Sequence, residues 1–401
     1  MKFRKIKSFL KKNKKKLIHL LTIFVIIYIS VNIFANYLNQ PSYAGPKNTI
    51  SVNNTLDTNI YFNNIVGEES VLDVIVDQID SAEEKIEIAI FSFNSKKIKD
   101  SIERAADRGV AVDLISDLSN SNQHDLFIGD LKNKINIHYA GDYDPEESIN
   151  TRYMHNKFVI TDRGNEKQKL TTGSVNFSVL GEKYNQSFIL ETEDDSIIKV
   201  YGDEFDLIKS GTYGNRKVFN RNYNPWAARI NYEDSFLDIW FSPGYSTHSI
   251  KHEIIKHISE ADSSIKIMMW YFTDMQIANS VIERAEEGVA IDIIVESKAS
   301  NNKDSVVPYL KEVKQSKNLD NLNIILDTKL SGEVKEKVPE GFKPYIHHHS
   351  VVVDDDILIF GSSNWSLWGF YYNDENNLIT DNKYIINKYN ETFDYFLKLL
   401  K

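Results

Sequence analysis

The 401-residue chain contains no cysteine. This absence excludes a disulfide scaffold, a thiolate nucleophile and a cysteine-ligated zinc or iron–sulfur site. Glycine and proline are also scarce, at 17 and 8 residues, whereas 42% of the residues are hydrophobic. That composition is typical of a folded globular protein and excludes a disordered or collagen-like chain. Any chemistry must therefore use His, Lys, Ser, carboxylates or a metal without sulfur ligands.

Basic residues are few beyond the first sixteen positions. Residues 1–16 hold nine Lys and Arg and no acid, which leaves 38 bases against 57 acids in residues 17–401, a net charge of −19. A body this acidic repels polyphosphate at long range, and nonspecific nucleic-acid binding would need a basic groove built locally.

One long apolar run, Leu17 to Leu38, has 22 residues without Asp, Glu, Lys or Arg. It would span roughly 33 Å as a helix, so it predicts a transmembrane anchor. The preceding basic residues favour a cytoplasmic N-terminus and a body on the outer face of the cell membrane. The alternative is a signal peptide cleaved after Ser42-Tyr43-Ala44, which would make the protein secreted. The run exceeds the usual apolar region of about 7–15 residues, which favours the anchor.

The rest of the chain repeats itself: residues 86–115 and 265–294 align over 30 positions without a gap. Each copy has an apolar run, about 14 residues with helical spacing, a glycine and a second apolar run, which predicts a β-α-β unit. Gly109 and Gly288 stand where a helix end needs a left-handed residue. The fold class predicted is therefore α/β, with two pseudo-symmetric α/β sandwich domains after the N-terminal transmembrane helix.

The predicted organisation has six parts. They are a basic cytoplasmic segment (1–16), a transmembrane anchor (17–38), a polar tether (39–56), a first domain (57–211), a structured connection (212–235) and a second domain (236–401). Four further helices are predicted at 69–84, 196–209, 252–261 and 385–400. We expect a monomer with an internal pseudo-dimer.

A chemical motif recurs in both copies, as YMHNKFVITDRGNEKQKLTTGSVNFS and YIHHHSVVVDDDILIFGSSNWS. Side chains alternate along a strand, so His155 and Lys157 project from one face. The two copies of the motif together would place two imidazoles and a ring of Lys, Ser and Asn donors around a phosphodiester. One His would attack phosphorus, the other would protonate the leaving oxygen, and the donors would stabilise the oxygens. Asp162 and Asp354 are predicted to support turns.

The paired motif resembles the phospholipase D superfamily, whose signature is H-x-K-x4-D-x6-G-S-x-N in each half; the resemblance covers residues of about 57–401. It implies a covalent phosphohistidine and no metal or other cofactor. The implied catalytic residues are His155, Lys157, Ser174, Asn176, His347, Ser362 and Asn364. Glu375, in YYNDENNLIT, matches the downstream family acid that orients a histidine.

Three positions depart from the family pattern. His349 replaces the second Lys, so a permanent cation becomes a group with an unperturbed pKa near 6.5, and its phosphate contact should weaken as pH rises. Ten residues rather than six separate Asp162 from Gly173, which lengthens a hairpin. The first copy's counterpart of Glu375 falls in KYNQSFIL, with Asn185 or Gln186 in place of a carboxylate.

Two alternatives for the nucleophile stay open. His155 keeps its lysine, which favours it. Glu375 favours His347, since a carboxylate partner fixes the tautomer and raises imidazole basicity.

Other interpretations accompany these motifs. The tract 347–349 could bind a metal, but strand alternation splits its side chains between two faces, which disfavours a metal site. The aromatic residues between 365 and 372 fit either an acyl-chain entrance or core packing. The charged stretch 329–343 reads as a solvated loop before the second motif, or a lid.

These features favour a membrane-anchored bacterial phosphodiesterase of the phospholipase D type, in enzyme class EC 3.1.4, acting on phospholipid. An extracellular endonuclease of the same superfamily has equal chemistry but needs a basic channel. A catalytically degenerate binding module is the third class, because His349 and the missing first-half acid break the pattern.

Overall fold

The computed structural model describes residues 45–63, 70–144, 149–220, 222–330 and 344–401. The predicted basic segment 1–16 and anchor 17–38 lie outside these ranges, as does most of the charged stretch 329–343. Within the described ranges, no helix combines the length and the apolar composition needed to cross a membrane.

Both halves are built from strands and helices. The strands up to residue 192 are β1 (Asn48–Ser51), β2 (Thr58–Phe62), β3 (Lys85–Ile90), β4 (Ala111–Asp117), β5 (Asn136–Asp144), β6 (Ile149–Tyr153), β7 (Lys157–Thr161), β8 (Lys169–Gly173), β9 (Asn185–Gln186) and β10 (Phe188–Thr192). The later strands are β11 (Trp226–Asn231), β12 (Phe236–Ser242), β13 (Ser264–Met269), β14 (Ala290–Val295), β15 (Leu322–Leu326), β16 (Tyr345–Ile346), β17 (His349–Val353), β18 (Ile357–Gly361) and β19 (Glu375–Thr380).

The helices cover the faces of the sheets. They are α1 (Val71–Ser81), α2 (Lys96–Asp107), α3 (Ser121–Ile128), α4 (Val179–Lys183), α5 (Asp195–Lys209), α6 (Asn215–Val218), α7 (Ile250–Ser259), α8 (Met275–Glu286), α9 (Val307–Lys317), α10 (Leu367–Tyr371) and α11 (Lys383–Leu400). The four helices predicted outside the repeated units are thereby confirmed as α1, α5, α7 and α11.

Two large sheets carry the two halves. The first has the order β2-β10-β8-β7-β3-β4-β5-β6, and the second has the order β1-β11-β12-β19-β18-β17-β13-β14-β15. Helices α1 and α2 bury one face of the first sheet, and α7, α8 and α9 bury one face of the second. The remaining faces share a central core with α5 and α11. The predicted α/β fold with two equivalent halves is confirmed.

Local sequence signals set the repeated unit. Ser95 accepts a hydrogen bond from Ile98 N at the start of α2, and Asp274 caps α8 in the same way, because these side chains satisfy backbone donors that the first turn leaves free. Gly109 and Gly288 follow the two helices with φ angles of 90° and 96°, which a side chain would disfavour. The predicted left-handed helix ends are confirmed.

Two segments are more ordered than their sequences suggest. Strand β1 lies inside the predicted tether 39–56 and pairs parallel with β11, itself inside the predicted connection 212–235. Both strands are short and bordered by polar residues, so neither shows a clear period of two. The second sheet therefore takes its edge from outside the predicted second domain.

Asp162 and Asp354 hold equivalent corners. Asp162 accepts hydrogen bonds from the backbone N–H groups of residues 83–85, at 2.7–3.0 Å, and Asp354 does the same for residues 262–264. Both adopt φ angles near 50°, which Asp tolerates better than most residues. Each carboxylate thus fixes the loop that enters β3 or β13.

Candidate active site

His155 lies between a carboxylate and an ammonium group. Its Nδ1 is 2.7 Å from Glu375 Oε2, and the Nζ of Lys157 is 3.1–3.2 Å from the two ring nitrogens. The imidazole and the Glu375 side chain are almost completely buried. A carboxylate on Nδ1 keeps the proton there and leaves Nε2 with its lone pair, which is the form a nucleophile needs.

The structure corrects the assignment of Glu375 to His347. Strand β19 carries Glu375 to the first-half histidine because the backbone N–H of His155 donates to Asp374 O, at 2.8 Å, across the boundary between the halves. Lys157 and Glu375 therefore act on the same imidazole, and the two arguments that divided the nucleophile between two histidines now both select His155.

Burial lowers the pKa of His155, Glu375 opposes that effect, and Lys157 adds to it. Burial also lowers the pKa of the Lys157 ammonium, to about 7, against the opposing charge of Glu375. These shifts keep His155 neutral and make the charge of Lys157 sensitive to pH in the neutral range.

The second histidine, His347, has a weaker partner. Its Nδ1 is 3.5 Å from Ser187 Oγ. The backbone N–H of His347 donates to Gln186 O, just as the backbone N–H of His155 donates to Asp374 O. The counterpart of Glu375 is therefore Ser187, and the expectation of Asn185 or Gln186 was wrong. Ser174 and Ser362 are 188 residues apart, and so are Ser187 and Glu375. The spacing between the two G-S-x-N motifs therefore identifies Ser187 as the counterpart of Glu375 from the sequence.

The histidine tract divides as strand alternation predicts. The His347 and His349 rings lie 5.1 Å apart, whereas His348 stacks on Phe62 and Phe188 on the core side. Burial, followed by the charges of Lys157 and His155, lowers the pKa of His347 well below its usual value. The imidazoles of His155 and His347 thus lie within electrostatic reach of each other.

The serines and asparagines of the two G-S-x-N corners have different surroundings. Ser362 Oγ donates to Glu375 Oε2 at 2.6 Å and accepts from Asn376 N, while Ser174 Oγ accepts from Phe188 N. Ser362 thus supports the Glu375 carboxylate. The Oδ1 atoms of Asn176 and Asn364, which are acceptors, lack hydrogen-bond partners among the described atoms.

A cavity of about 550 Å³ opens beside His155. Its aromatic walls include Phe91, 4.7 Å from the His155 ring, and Trp270, 5.5 Å from the His347 ring. The described residues that line it are Phe91, Tyr153, His155, Trp270, Tyr271, Glu296, Lys298, Ala299, Asn302, Tyr345, Asn364, Ser366, Trp368 and Asn373. Trp365 and Phe370 belong to the core of the second half, so the aromatic run divides between cavity and core.

A buried ion cluster that the sequence does not reveal lies behind the site. The ammonium of Lys217, in α6, is fully buried, contacts Glu204, and lies 2.7 Å from Asp374 Oδ1. Asp374 in turn holds the backbone of His155. Lys217 has no counterpart in the repeat and lies in an unpatterned connection, so no motif points to it.

Replacing Lys217 by Met should lower the free energy of unfolding by about 3–5 kcal/mol, because Glu204 and Asp374 would stay buried without a cation. Burial raises the pKa of both carboxyls. A carboxyl whose pKa is higher in the folded chain favours folding at low pH and loses that contribution as pH rises. The loss in free energy of unfolding caused by Lys217→Met should therefore become smaller as the pH is lowered.

Urea unfolding at several pH values measures this change. Lys199→Met, which removes an exposed pair with Asp203, is the matched control and should alter stability little. An equal loss in free energy of unfolding in both variants would show that the buried ion cluster contributes no more to stability than the exposed pair.

Comparisons with known proteins agree with this geometry. The family model described as "Cardiolipin synthase, PLD-like domain" matches residues 75–209 and 254–397, one match in each half. Human mitochondrial cardiolipin hydrolase is 30% identical over 140 residues, covering 35% of this chain and 51% of that protein. A phospholipase D of Rickettsia conorii is 32% identical over 128 residues, covering 32% of this chain and 58% of that protein.

A solved structure gives the fold of both halves together. Phosphatidylserine synthase of Haemophilus influenzae superposes with a TM-score of 0.59 at 12% identity, covering 85% of this chain and 86% of that one. The chain spans only about half the length of the curated relatives it matches. Because the family model covers most of both halves, the chain belongs to the phospholipase D superfamily, as a protein with two PLD-like domains.

Proposed function

We propose that this protein is a phosphodiesterase of the phospholipase D type, which cleaves or transfers the phosphatidyl group of phospholipids through a phosphohistidine. The observation that carries the proposal is the convergence of Lys157 and Glu375 on one buried imidazole, His155, at the wall of an aromatic cavity. The activities named for the relatives, a cardiolipin hydrolase and a phospholipase D, agree with it.

The first chemical step follows from the tautomer. His155 Nε2 attacks phosphorus, the bond from phosphorus to the leaving oxygen breaks, and that oxygen takes a proton from His347. The negative charge of the bound phosphodiester offsets the low proton affinity of the buried His347 imidazole. Lys157 and the amides of Asn176 and Asn364 stabilise the oxygens on phosphorus.

The second step reverses these roles. Neutral His347 accepts a proton from water or an alcohol, whose oxygen attacks the phosphohistidine as the P–N bond breaks. His155 is released with its lone pair restored, and the proton is again on His347. Water gives hydrolysis and an alcohol gives transfer.

The surroundings of the cavity favour lipid over nucleic acid. Among the described residues that line it, Lys298 is the one Lys or Arg, and six are Phe, Tyr or Trp. Trp368, which lines the cavity, is 42% exposed, and its neighbour in sequence Leu367 is 56% exposed. A nucleic-acid channel needs a row of cations along the backbone, whereas apolar side chains beside a cavity suit a lipid surface.

The proposal includes the membrane. The apolar run 17–38 would anchor the chain, with residues 1–16 in the cytoplasm and the catalytic body outside the cell. Such an anchor would hold the cavity near its substrate. Protease treatment of intact cells should digest the body and spare a tag on residue 1; protection of the body would contradict this orientation.

Lipid and DNA turnover by the full chain, both in EDTA, test the substrate class. We expect headgroup release from vesicles of phosphatidylcholine, phosphatidylethanolamine and phosphatidylglycerol, and intact single- and double-stranded DNA. DNA cleavage with intact lipid would instead assign an endonuclease. Turnover of neither substrate would leave a degenerate binding module.

A further inference from the structure

His349 is the residue that departs most from the family motif. It is the first residue of β17 and occupies the position of the second lysine, on the same face as His347. The residue is 3% exposed, and neither ring nitrogen has a hydrogen-bond partner among the described atoms. Burying an unsatisfied polar group is costly, and buried histidines normally bond at least one nitrogen. An imidazole in this state is suited to a ligand that enters the site.

The strongest charges that act on His349 are those of bases. Burial, followed by the charges of His347, Lys157, His155 and His348, holds its pKa well below the usual value. Its partner on β13 is Met269, which carries no charge. The Glu375 carboxylate is bonded to His155 and Ser362. The strongest charges that act on His349 therefore all oppose a proton on its ring.

We infer that His349 binds the phosphate group of the substrate and takes up one proton from solvent as that anion enters. The inference rests on the proposed function for the existence of a phosphate site. The share of His349 in this balance is one N–H bond formed and one proton removed from the medium for each anion bound, in addition to the proton that His347 takes up in the proposed mechanism. The phosphate supplies both the missing hydrogen-bond acceptor and the missing negative charge.

This arrangement differs from a lysine at the same position. A lysine that is charged before binding attracts the anion without taking up a proton, whereas His349 makes anion affinity depend on pH. For one linked proton, affinity falls by up to about tenfold per pH unit on the alkaline side. The substitution would restrict tight binding to neutral and acidic conditions.

Calorimetry of sulfate binding to the full chain tests the inference. Sulfate is a tetrahedral anion that does not react and does not titrate near neutral pH. Titrations in buffers of different ionisation enthalpy give the protons taken up per anion. We expect His349→Gln to take up fewer protons than the unmodified protein, by as much as one, and to show a flatter dependence of affinity on pH. His348→Gln, which changes the neighbour on the opposite face, is the control and should retain the uptake.

Equal uptake in the unmodified protein and in His349→Gln would overturn the inference, as would an unmodified protein that binds no sulfate. If His349→Gln does not fold, nitrogen NMR of the unmodified protein decides instead. The His349 ring should change from the neutral to the protonated pattern when sulfate is added, and an unchanged ring would overturn the inference.

Lipid turnover distinguishes this test from that of the proposed function. If the unmodified protein cleaves lipid and His349→Gln takes up as many protons per sulfate as the unmodified protein, only the role of His349 is rejected. If His349→Gln takes up fewer protons but the unmodified protein cleaves no lipid, only the lipid phosphodiesterase is rejected.

Discussion

His155→Ala should reduce phospholipid turnover by about 10⁴- to 10⁶-fold while the chain still folds, because the variant loses the atom that forms the covalent bond in the proposed mechanism. His347→Ala should be similarly impaired with a natural lipid, whose poor leaving oxygen needs a proton. The two variants should differ with a nitrophenyl phosphodiester, since nitrophenolate leaves without protonation.

Mass spectrometry of the intact chain measures this difference as the amount of phosphoryl adduct on each variant. With the nitrophenyl substrate, His347→Ala should accumulate a phosphoryl adduct on His155, because the base that activates water is missing. His155→Ala should accumulate none. An adduct on His347 in His155→Ala would assign the nucleophile to the other half, and full lipid turnover by either variant would refute the mechanism.

The repeat made much of the fold predictable. A gap-free 30-residue match fixes strand, helix and strand in each half, and the alternation of side chains in β17 places His348 opposite its two neighbours. Within each copy, the pattern that predicts these elements depends only on residues close in sequence. The short strand β1 gave no such signal, because its pairing with β11 depends on a partner far along the chain.

The pairing within the site depends on long-range contacts and could not be derived in the same way. Glu375 reaches His155 only because the bridge between Met154 and Asp374 joins residues 220 positions apart. Lys217 is charged and fully buried, although composition places a lysine on the surface by default. Its role becomes visible only when Glu204 and Asp374 are seen to surround it.

The two halves of the site are unequal despite the duplicated sequence. The His155 side has Glu375, Lys157 and the buried Lys217 cluster, whereas the His347 side has Ser187 and His349. A nucleophile benefits from a fixed tautomer, and a general acid and base benefits from freedom to gain and lose a proton. The asymmetry therefore matches a division of labour between the imidazoles.

Glu375→Gln measures that division with little change in shape. The amide keeps the volume but removes the charge that holds the Nδ1 proton of His155, so we expect kcat to fall by about 10² to 10⁴-fold. Ser187→Ala, at the equivalent position beside His347, is the matched control. Its effect should be far smaller, because Ser187 Oγ makes only a 3.5 Å contact.

The pH profile separates this role from a merely structural one. Glu375 raises the pKa of both His155 and Lys157 against their burial, so its removal lowers both values. The acidic limb of kcat/KM, where neutral His155 is lost, should move to lower pH in Glu375→Gln. The alkaline limb, where the Lys157 ammonium is lost, should move in the same direction. A profile that falls in height without moving would show that Glu375 only supports the fold, and that the Nδ1 contact does not set the basicity of the nucleophile.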